Sequence, residues 1–359
     1  MNSGLLDDAA TLRRLDRSDM LAAVAALPSG LADGWARTRG VTLPAGHRAA
    51  TSVALLGMGG SAIAGDVVAG VFADRLDRPL SVIRDYELPA WVGPQTLVIA
   101  SSFSGATEET IASLATALER RAPVVAVTTG GPLLEVARRA ELPHLMFQPG
   151  GQPRAALGRS LAMLAGLLER AGMLELGDDE IAAAVAAGDA MAASCAATVD
   201  LEANPAKRLA WDLVDRWPTI EAAGWLGPVA RRWKTQLNEN AKSGATWEEL
   251  PEATHNTVVG YAEPESLSDR LVVVFLASPD DHPRNRRRAE FSAGLLKGAG
   301  IDHRTIALTG AGRLAQATAG IVLGDFVSVY LGLLYGHDPT PVESIGLLKA
   351  RLADVDADA

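Results

Sequence analysis

Between Thr96 and Thr110 the chain reads TLVIASSFSGATEET and changes character twice. Leu97-Val98-Ile99-Ala100 is a short apolar run of the β type. Ser101, Ser102, Ser104, Gly105 and Thr107 follow at once, then Glu108 and Glu109. After them, Ile111, Leu114, Ala115 and Leu118 recur at helical spacing. Physically this is a strand, a hydroxyl-rich turn and a helix N-terminus. A helix N-terminus offers unpaired N–H groups and a partial positive charge, which suit an anion. The hydroxyls of Ser102, Ser104 and Thr107 add donors, and Gly105 lets the backbone approach closely. No Lys or Arg lies within the stretch, so it suits one compact phosphate rather than a polyanion. The plainer reading is that Ser and Thr cap the helix and fill the turn. Four hydroxyls within seven residues exceed what one cap needs.

The same alternation recurs around it. Residues 52–56, 80–84, 97–100, 123–128 and 144–147 read as strands. The spacing predicts helices from the glycine turn at 57–61 through 71, over 107–121 and over 132–140. Apolar runs separated by helical patterns mean a parallel sheet covered on both faces. Ligands of such sheets bind beyond the carboxyl ends of the strands, where residues 57–61 and 101–107 both lie. An Ala- and Leu-rich helical stretch, 153–197, leads to a second α/β unit. There the pattern predicts strands at 219–223, 271–277 and 303–307. It predicts helices at 227–242, around 281–297 and, deeply buried, at 311–335. Thr340-Pro341-Val342-Glu343 reads as a capping box with proline at the first helical position, opening the helix that carries Lys349. Residues 1–48 read as one or two helices whose apolar stripe ends at Pro28-Ser29-Gly30. The fold class expected is α/β: two doubly wound parallel sheets, divided as a helical arm at 1–48, a first domain at 49–200 and a second at 201–359.

The charge balance narrows the function. A formal net charge of −10 disfavours general nucleic-acid or anionic-membrane binding. The run Arg284, Arg286, Arg287, Arg288 sits near Asp280, Asp281 and Glu290 and reads as a solvated helix face. Cys195 is the sole cysteine, so intrachain disulfides are impossible, and no Cys/His/Asp spacing suggests a metal site. The N-terminal residues lack the layout of a secretory leader, and no run of about 18 apolar residues offers a membrane span. A cytoplasmic protein without cofactor or metal is expected.

Gly57-Met58-Gly59-Gly60-Ser61-Ala62 fits a dinucleotide fingerprint after a strand, with Asp85 ending the next strand. That reading, a nucleotide-dependent dehydrogenase, leaves residues 101–110 without a task. A sugar-phosphate reading makes both loops converge on one ligand.

Five motifs occur in order. They are Gly57-Met58-Gly59-Gly60-Ser61, Ser102 to Thr110 (SFSGATEET), Pro153-Arg154-Ala155-Ala156-Leu157-Gly158, Asn238-Glu239-Asn240-Ala241-Lys242 and His255-Asn256. Together they resemble the bifunctional phosphoglucose/phosphomannose isomerases, a family built from two sugar-isomerase (SIS) domains. The resemblance covers the chain from about Leu55 to the C-terminal helix. It implies that Gly60, Ser61, Ser102, Ser104 and Thr107 hold the substrate phosphate. It implies that Glu239 is the catalytic base and Arg154 the cation beside the developing enediolate. It implies that His255 opens the sugar ring from the neighbouring subunit of a homodimer, and that Lys349 assists ring opening. Ala62, Phe103 and Ala106 depart from the residues usual there, and none removes a charge or base.

The residue types fit that chemistry. Moving a proton between adjacent carbons of an aldose or ketose phosphate needs a positioned carboxylate. The enediolate carries charge on oxygen, which a fixed guanidinium stabilises. Ring opening needs a proton shuttle near neutral pH, for which histidine is suited. By pattern alone, Glu239 is a helix-surface glutamate, Arg154 an exposed first-turn arginine, and the other histidines are satisfied loop residues; the resemblance reverses the first two. A SIS-domain sugar-phosphate sensor without turnover remains the alternative. A glutaminase-linked synthase is disfavoured because residue 2 is Asn, and a DNA-binding regulator because residues 1–48 are balanced in charge.

Overall fold

The computed structural model describes residues 2–147 and 150–355. Its first 48 residues form four α-helices after a short 3-10 turn: α1 (Ala9–Leu15), α2 (Met20–Ala25), α3 (Leu27–Thr38) and α4 (Ala45–Arg48). Pro28-Ser29-Gly30 does not end the apolar stripe as its composition suggested. Pro28 stands in the first turn of α3, where its missing N–H costs nothing. Leu12, Met20, Val24, Leu27, Leu31 and Trp35 are all buried in the main core.

The first sheet comprises β1 (Ser52–Leu56), β2 (Leu80–Ile83), β3 (Thr96–Ser102), β4 (Val124–Thr128) and β5 (His144–Met146), all parallel in the order β2-β1-β3-β4-β5. Helices α5 (Gly59–Val71), α6 (Glu108–Glu119) and α7 (Gly131–Arg139) connect them. Alternate residues of β1 enter different cores: Val53 and Leu55 join the main cluster, Ala54 and Leu56 a second one on the opposite face. That division is the period-2 signature of a strand buried on both sides.

The stretch 153–197 breaks into a 3-10 turn at Pro153–Ala156, α8 (Leu157–Arg170) and α9 (Asp178–Ser194). After α10 (Pro205–Asp212) comes a second parallel sheet of four strands, β6 (Trp217–Ala223), β7 (Thr246–Leu250), β8 (Leu271–Ala277) and β9 (Asp302–Ala307), in the order β7-β6-β8-β9. β7 has no counterpart in the sequence reading, because TWEEL carries too little apolar character to register as a strand. Helix α11 (Gly227–Glu239) joins β6 to β7, and α12 (Pro283–Gly298) joins β8 to β9.

Helix α13 (Arg313–Leu334) passes through the main core with almost every residue buried. By length and composition it could cross a membrane, yet its apolar window is wholly buried within the protein. The capping box at 340–343 does not form. Helix α14 (Glu343–Val355) starts two residues later than expected, and the buried Thr340 hydroxyl has no partner. The backbone there is committed elsewhere, since the Thr340 carbonyl accepts a hydrogen bond from Arg154.

Candidate active site

Two helix N-termini sit side by side at the carboxyl end of the first sheet, because β1 and β3 are hydrogen-bonded neighbours. The N-terminus of α5 carries Gly60 and the buried Ser61. A β-carbon at Gly60 would stand 2.9 Å from the Pro153 carbonyl oxygen and 3.4 Å from Cα of Arg154, so only glycine fits there. At the N-terminus of α6, Thr107 occupies the cap position but its side chain caps nothing. Its Oγ1 instead lies 2.8 Å from Oγ of Ser102, which also accepts from the Gly105 N–H at 3.0 Å. The helix therefore keeps its first N–H groups free of a side-chain cap, as an anion site requires. Gly105 adopts φ 70°, and a β-carbon there would meet the Gly130 carbonyl at 1.8 Å. Ser104 is exposed, and its Oγ accepts from the Ala106 N–H at 3.3 Å. No side chain caps the helix, while the hydroxyls of Ser102 and Ser104 do bond within the turn.

Arg154 links this region to the second half of the chain. Far from being an exposed first-turn residue, it is only 3% exposed. Its Nε donates to Oδ1 of Asn240 at 2.7 Å, and its Nη2 to the carbonyls of Pro339 and Thr340 at 2.8 and 2.7 Å. Its Nη1 reaches the Glu239 carboxylate at 3.7 Å. Burial pulls the guanidinium below its ordinary pKa, and the Glu239 charge works against that shift. Glu239 is the last residue of α11, a partly exposed carboxylate beside a fixed cation. It borders a cavity of about 890 Å³ that is also lined by Arg17, Lys242, His337 and the first turn of α14.

Several residues that hold this arrangement were assigned no role from the sequence. Asn240 is fully buried, and its Nδ2 donates to Oγ of Ser328 at 2.9 Å, which fixes the oxygen that orients Arg154. Arg232 and Asp325 form a buried ion pair at 2.8 Å, and Arg232 also donates to the Arg154 carbonyl at 2.8 Å. Lys242 sits at φ 56°, and its Nζ donates to the carbonyls of Glu239 and Pro339 at 2.7 and 2.8 Å. The residue is exposed as a whole, yet the burial of its ammonium group, followed by the charge of Arg154, pushes its pKa down to about 8. The N-E-N-A-K run pointed to Glu239; only three-dimensional contacts reveal what its neighbours do.

Of the expected site residues, Glu239 alone is among those lining this cavity. Lys349 lies on the exposed face of α14, one turn beyond Ile345, which does line it. His255 ends the 3-10 turn Glu252–His255 after β7, at the carboxyl edge of the second sheet, and is exposed. Glu239 precedes β7 and His255 follows it. That strand alone spans roughly 15 Å at about 3.3 Å per residue. Among the described residues, no three His, Cys, Asp or Glu side chains gather as a metal site would need.

Two parallel-sheet units, each wound with helices, and a hydroxyl-lined double helix terminus beside an arginine–carboxylate pair define a SIS-type sugar-phosphate protein. Residues 202–352 match the family described as bacterial phospho-glucose isomerase C-terminal SIS domain. A bifunctional phosphoglucose/phosphomannose isomerase of Caldicellulosiruptor bescii is 40% identical over 304 residues, covering 84% of this chain and 90% of that protein. The protein of the same description from Aquifex aeolicus is 31% identical over 84% of this chain and 90% of its own. The chain belongs to the bifunctional phosphoglucose/phosphomannose isomerase family. A hypothetical protein of Thermus thermophilus shares the fold with a TM-score of 0.76 at 18% identity, covering 98% of this chain and 95% of that one.

Proposed function

We propose that this chain is an aldose–ketose isomerase that interconverts fructose 6-phosphate with glucose 6-phosphate and mannose 6-phosphate. The observation that carries the reading is the Glu239 carboxylate held 3.7 Å from the buried Arg154 guanidinium. A base and a fixed cation side by side are what proton abstraction next to a carbonyl needs.

In this reading the substrate phosphate sits against the α5 and α6 N-termini, held by the N–H groups of Gly60 and Ser61 and by Ser102, Ser104 and Thr107. Ring opening comes first, with His255 of the partner subunit moving the proton between ring oxygen and anomeric hydroxyl. Lys349 assists, which requires α14 to move or a second subunit to bring it in. Glu239 then removes the proton from carbon 2 of the open aldose. The electron pair moves to the carbonyl oxygen and gives a cis-enediolate, whose negative oxygen faces Arg154. The hydroxyl proton on oxygen 2 passes to oxygen 1, the carbonyl forms at carbon 2, and Glu239 returns its proton to carbon 1 to complete the ketose. Glucose and mannose 6-phosphates differ only at carbon 2, which is planar in the enediolate, so one intermediate serves both.

A coupled assay with fructose 6-phosphate that reads glucose and mannose 6-phosphates tests the reaction. In heavy water, the aldose products should carry deuterium at carbon 2. Tight binding of the sugar phosphate without exchange would replace this reading with that of a sugar-phosphate sensor.

A further inference from the structure

The carboxyl end of the second sheet carries its own cavity, remote from the hydroxyl loops. It has a volume of about 240 Å³ and lies between α12 and the carboxyl-terminal halves of β6, β7, β8 and β9. In a parallel α/β sheet this is where ligands bind. Its floor is apolar, with Leu250 and Phe275 among the lining residues. Its polar groups are unlike those of the first sheet. Glu221 on β6 is fully buried, and its Oε1 has no hydrogen-bond partner. Its Oε2 has only the Tyr261 hydroxyl, at a long 3.4 Å. Asp281, at the mouth of α12, is also buried, and its Oδ1 is equally unpartnered.

Two residues that line this one cavity each keep a buried carboxylate oxygen without a donor, which is costly unless something supplies one. Three carboxylates line the space, those of Glu221, Asp281 and Glu290, against the single guanidinium of Arg286. Nη1 of Arg286 is already bound to the carbonyls of Pro279 and Asp281. The lining therefore wants donors and positive charge, with an apolar stem to cover Leu250 and Phe275. The volume is below that of pockets that take drug-sized molecules, so the ligand is small.

We propose that this cavity is a second small-molecule site, which takes a small organic ammonium ion through Glu221 and Asp281. Burial with no compensating charge pushes the Glu221 carboxyl up to about 7, and an ammonium group there supplies the missing partner. Neither Glu221 nor Asp281 lines the cavity that Glu239 borders.

The test uses n-butylammonium chloride as probe in titration calorimetry on the full-length protein, with n-butanol as the uncharged control. Saturable one-to-one binding of the ammonium ion and none of the alcohol is expected. Hydrogen bonds to a charged group imply that Glu221→Gln, nearly isosteric, weakens binding roughly 10- to 100-fold. Ala289→Leu fills the cavity from the α12 side and leaves both carboxylates in place, and it should weaken binding as strongly. Turnover of fructose 6-phosphate should be unchanged in Glu221→Gln. The proposal is overturned if the wild type gives no saturable heat, or if butanol binds as well as butylammonium. Wild-type affinity in either folded variant overturns it as well, and Ala289→Leu decides alone if Glu221→Gln does not fold.

Discussion

Arg154 and Glu239 are 85 positions apart in the sequence (239 − 154) and stand 3.7 Å apart in space. The pair is not a free surface contact. Arg154 is clamped by Asn240, Pro339 and Thr340, and its own carbonyl is held by Arg232. Four segments of the chain must be in place before the guanidinium can face the carboxylate. Such a group is preorganised for charge that develops during reaction, because it need not reorient when the charge appears.

Arg154→Lys should therefore be far from conservative. Lysine keeps the charge but cannot donate at once to Asn240 and to the two carbonyls. The buried acceptors left unpaired should cost about 1–3 kcal/mol each at most, and less where water enters. Turnover should fall about a hundredfold or more with a smaller change in KM, since the cation acts on the enediolate rather than on the ground state. Urea unfolding and steady-state kinetics on the same variant check both effects. A variant with wild-type kcat would remove Arg154 from the reaction.

The serines of the phosphate loop should separate into two roles. Ser104 is exposed and its hydroxyl accepts from the neighbouring Ala106 N–H, so Ser104→Ala should leave stability nearly unchanged. Its loss should weaken sugar-phosphate binding about tenfold, as for a hydrogen bond to a charged group. Ser102 is buried and joins Gly105 to Thr107, so Ser102→Ala should also destabilise the fold by about 1–2 kcal/mol. Calorimetric titration with fructose 6-phosphate and thermal unfolding distinguish them. Equal affinity in wild type and Ser104→Ala would break the assignment.

The carboxyl groups raised by burial set a sign for the pH dependence of stability. Glu221 titrates near 7 in the folded chain against 4.5 as a free group, with burial the largest cause and the Glu248 charge adding to it. Between these values the folded state binds the extra proton, so stability is full below about 4.5 and declines as pH rises to 7. Glu249 and Asp281 are raised in the same direction. The difference between wild type and Glu221→Gln isolates one group. The variant should lose roughly 2–3 kcal/mol of that decline, measured by denaturant unfolding at pH 5 and pH 8. Parallel pH profiles in the two proteins would contradict the assignment.

How much of this was legible beforehand depends on the range of the signal. Strands β1, β3, β4 and β8 are continuous apolar runs, and the turns after β1 and β3 carry their glycines and hydroxyls locally. Both were therefore readable within windows of about ten residues. β7 was not, since Trp247, Glu248 and Glu249 lie on an edge strand that is only partly buried. The roles of Asn240, Arg232 and Asp325 were not either, because their partners lie 86, 78 and 93 positions away. The Thr340 box failed for a similar reason: a local capping signal lost its backbone to a buried arginine from the other half of the chain.

Glu239 precedes β7 and His255 follows it, and the strand between them spans roughly 15 Å. In the proposed reaction a site that uses both residues draws them from two subunits. A symmetric dimer supplies this without further devices, because each subunit lends its histidine to the other. Glu239→Gln keeps the shape of the side chain but cannot take a proton from carbon, and should lower turnover about 10²–10⁴-fold. His255→Ala should be inactive on the closed ring for a different reason. If the two defects sit in different subunits of one site, mixing the inactive homodimers should restore activity. At statistical exchange about half of the dimers are mixed, and each has one of its two sites intact. About a quarter of wild-type activity should therefore return after unfolding and refolding the mixture. If the refolded mixture stays inactive while each variant alone refolds as a dimer, both residues act within one chain, and the shared-site reading falls. A fully active monomer in sedimentation would dispose of it as well.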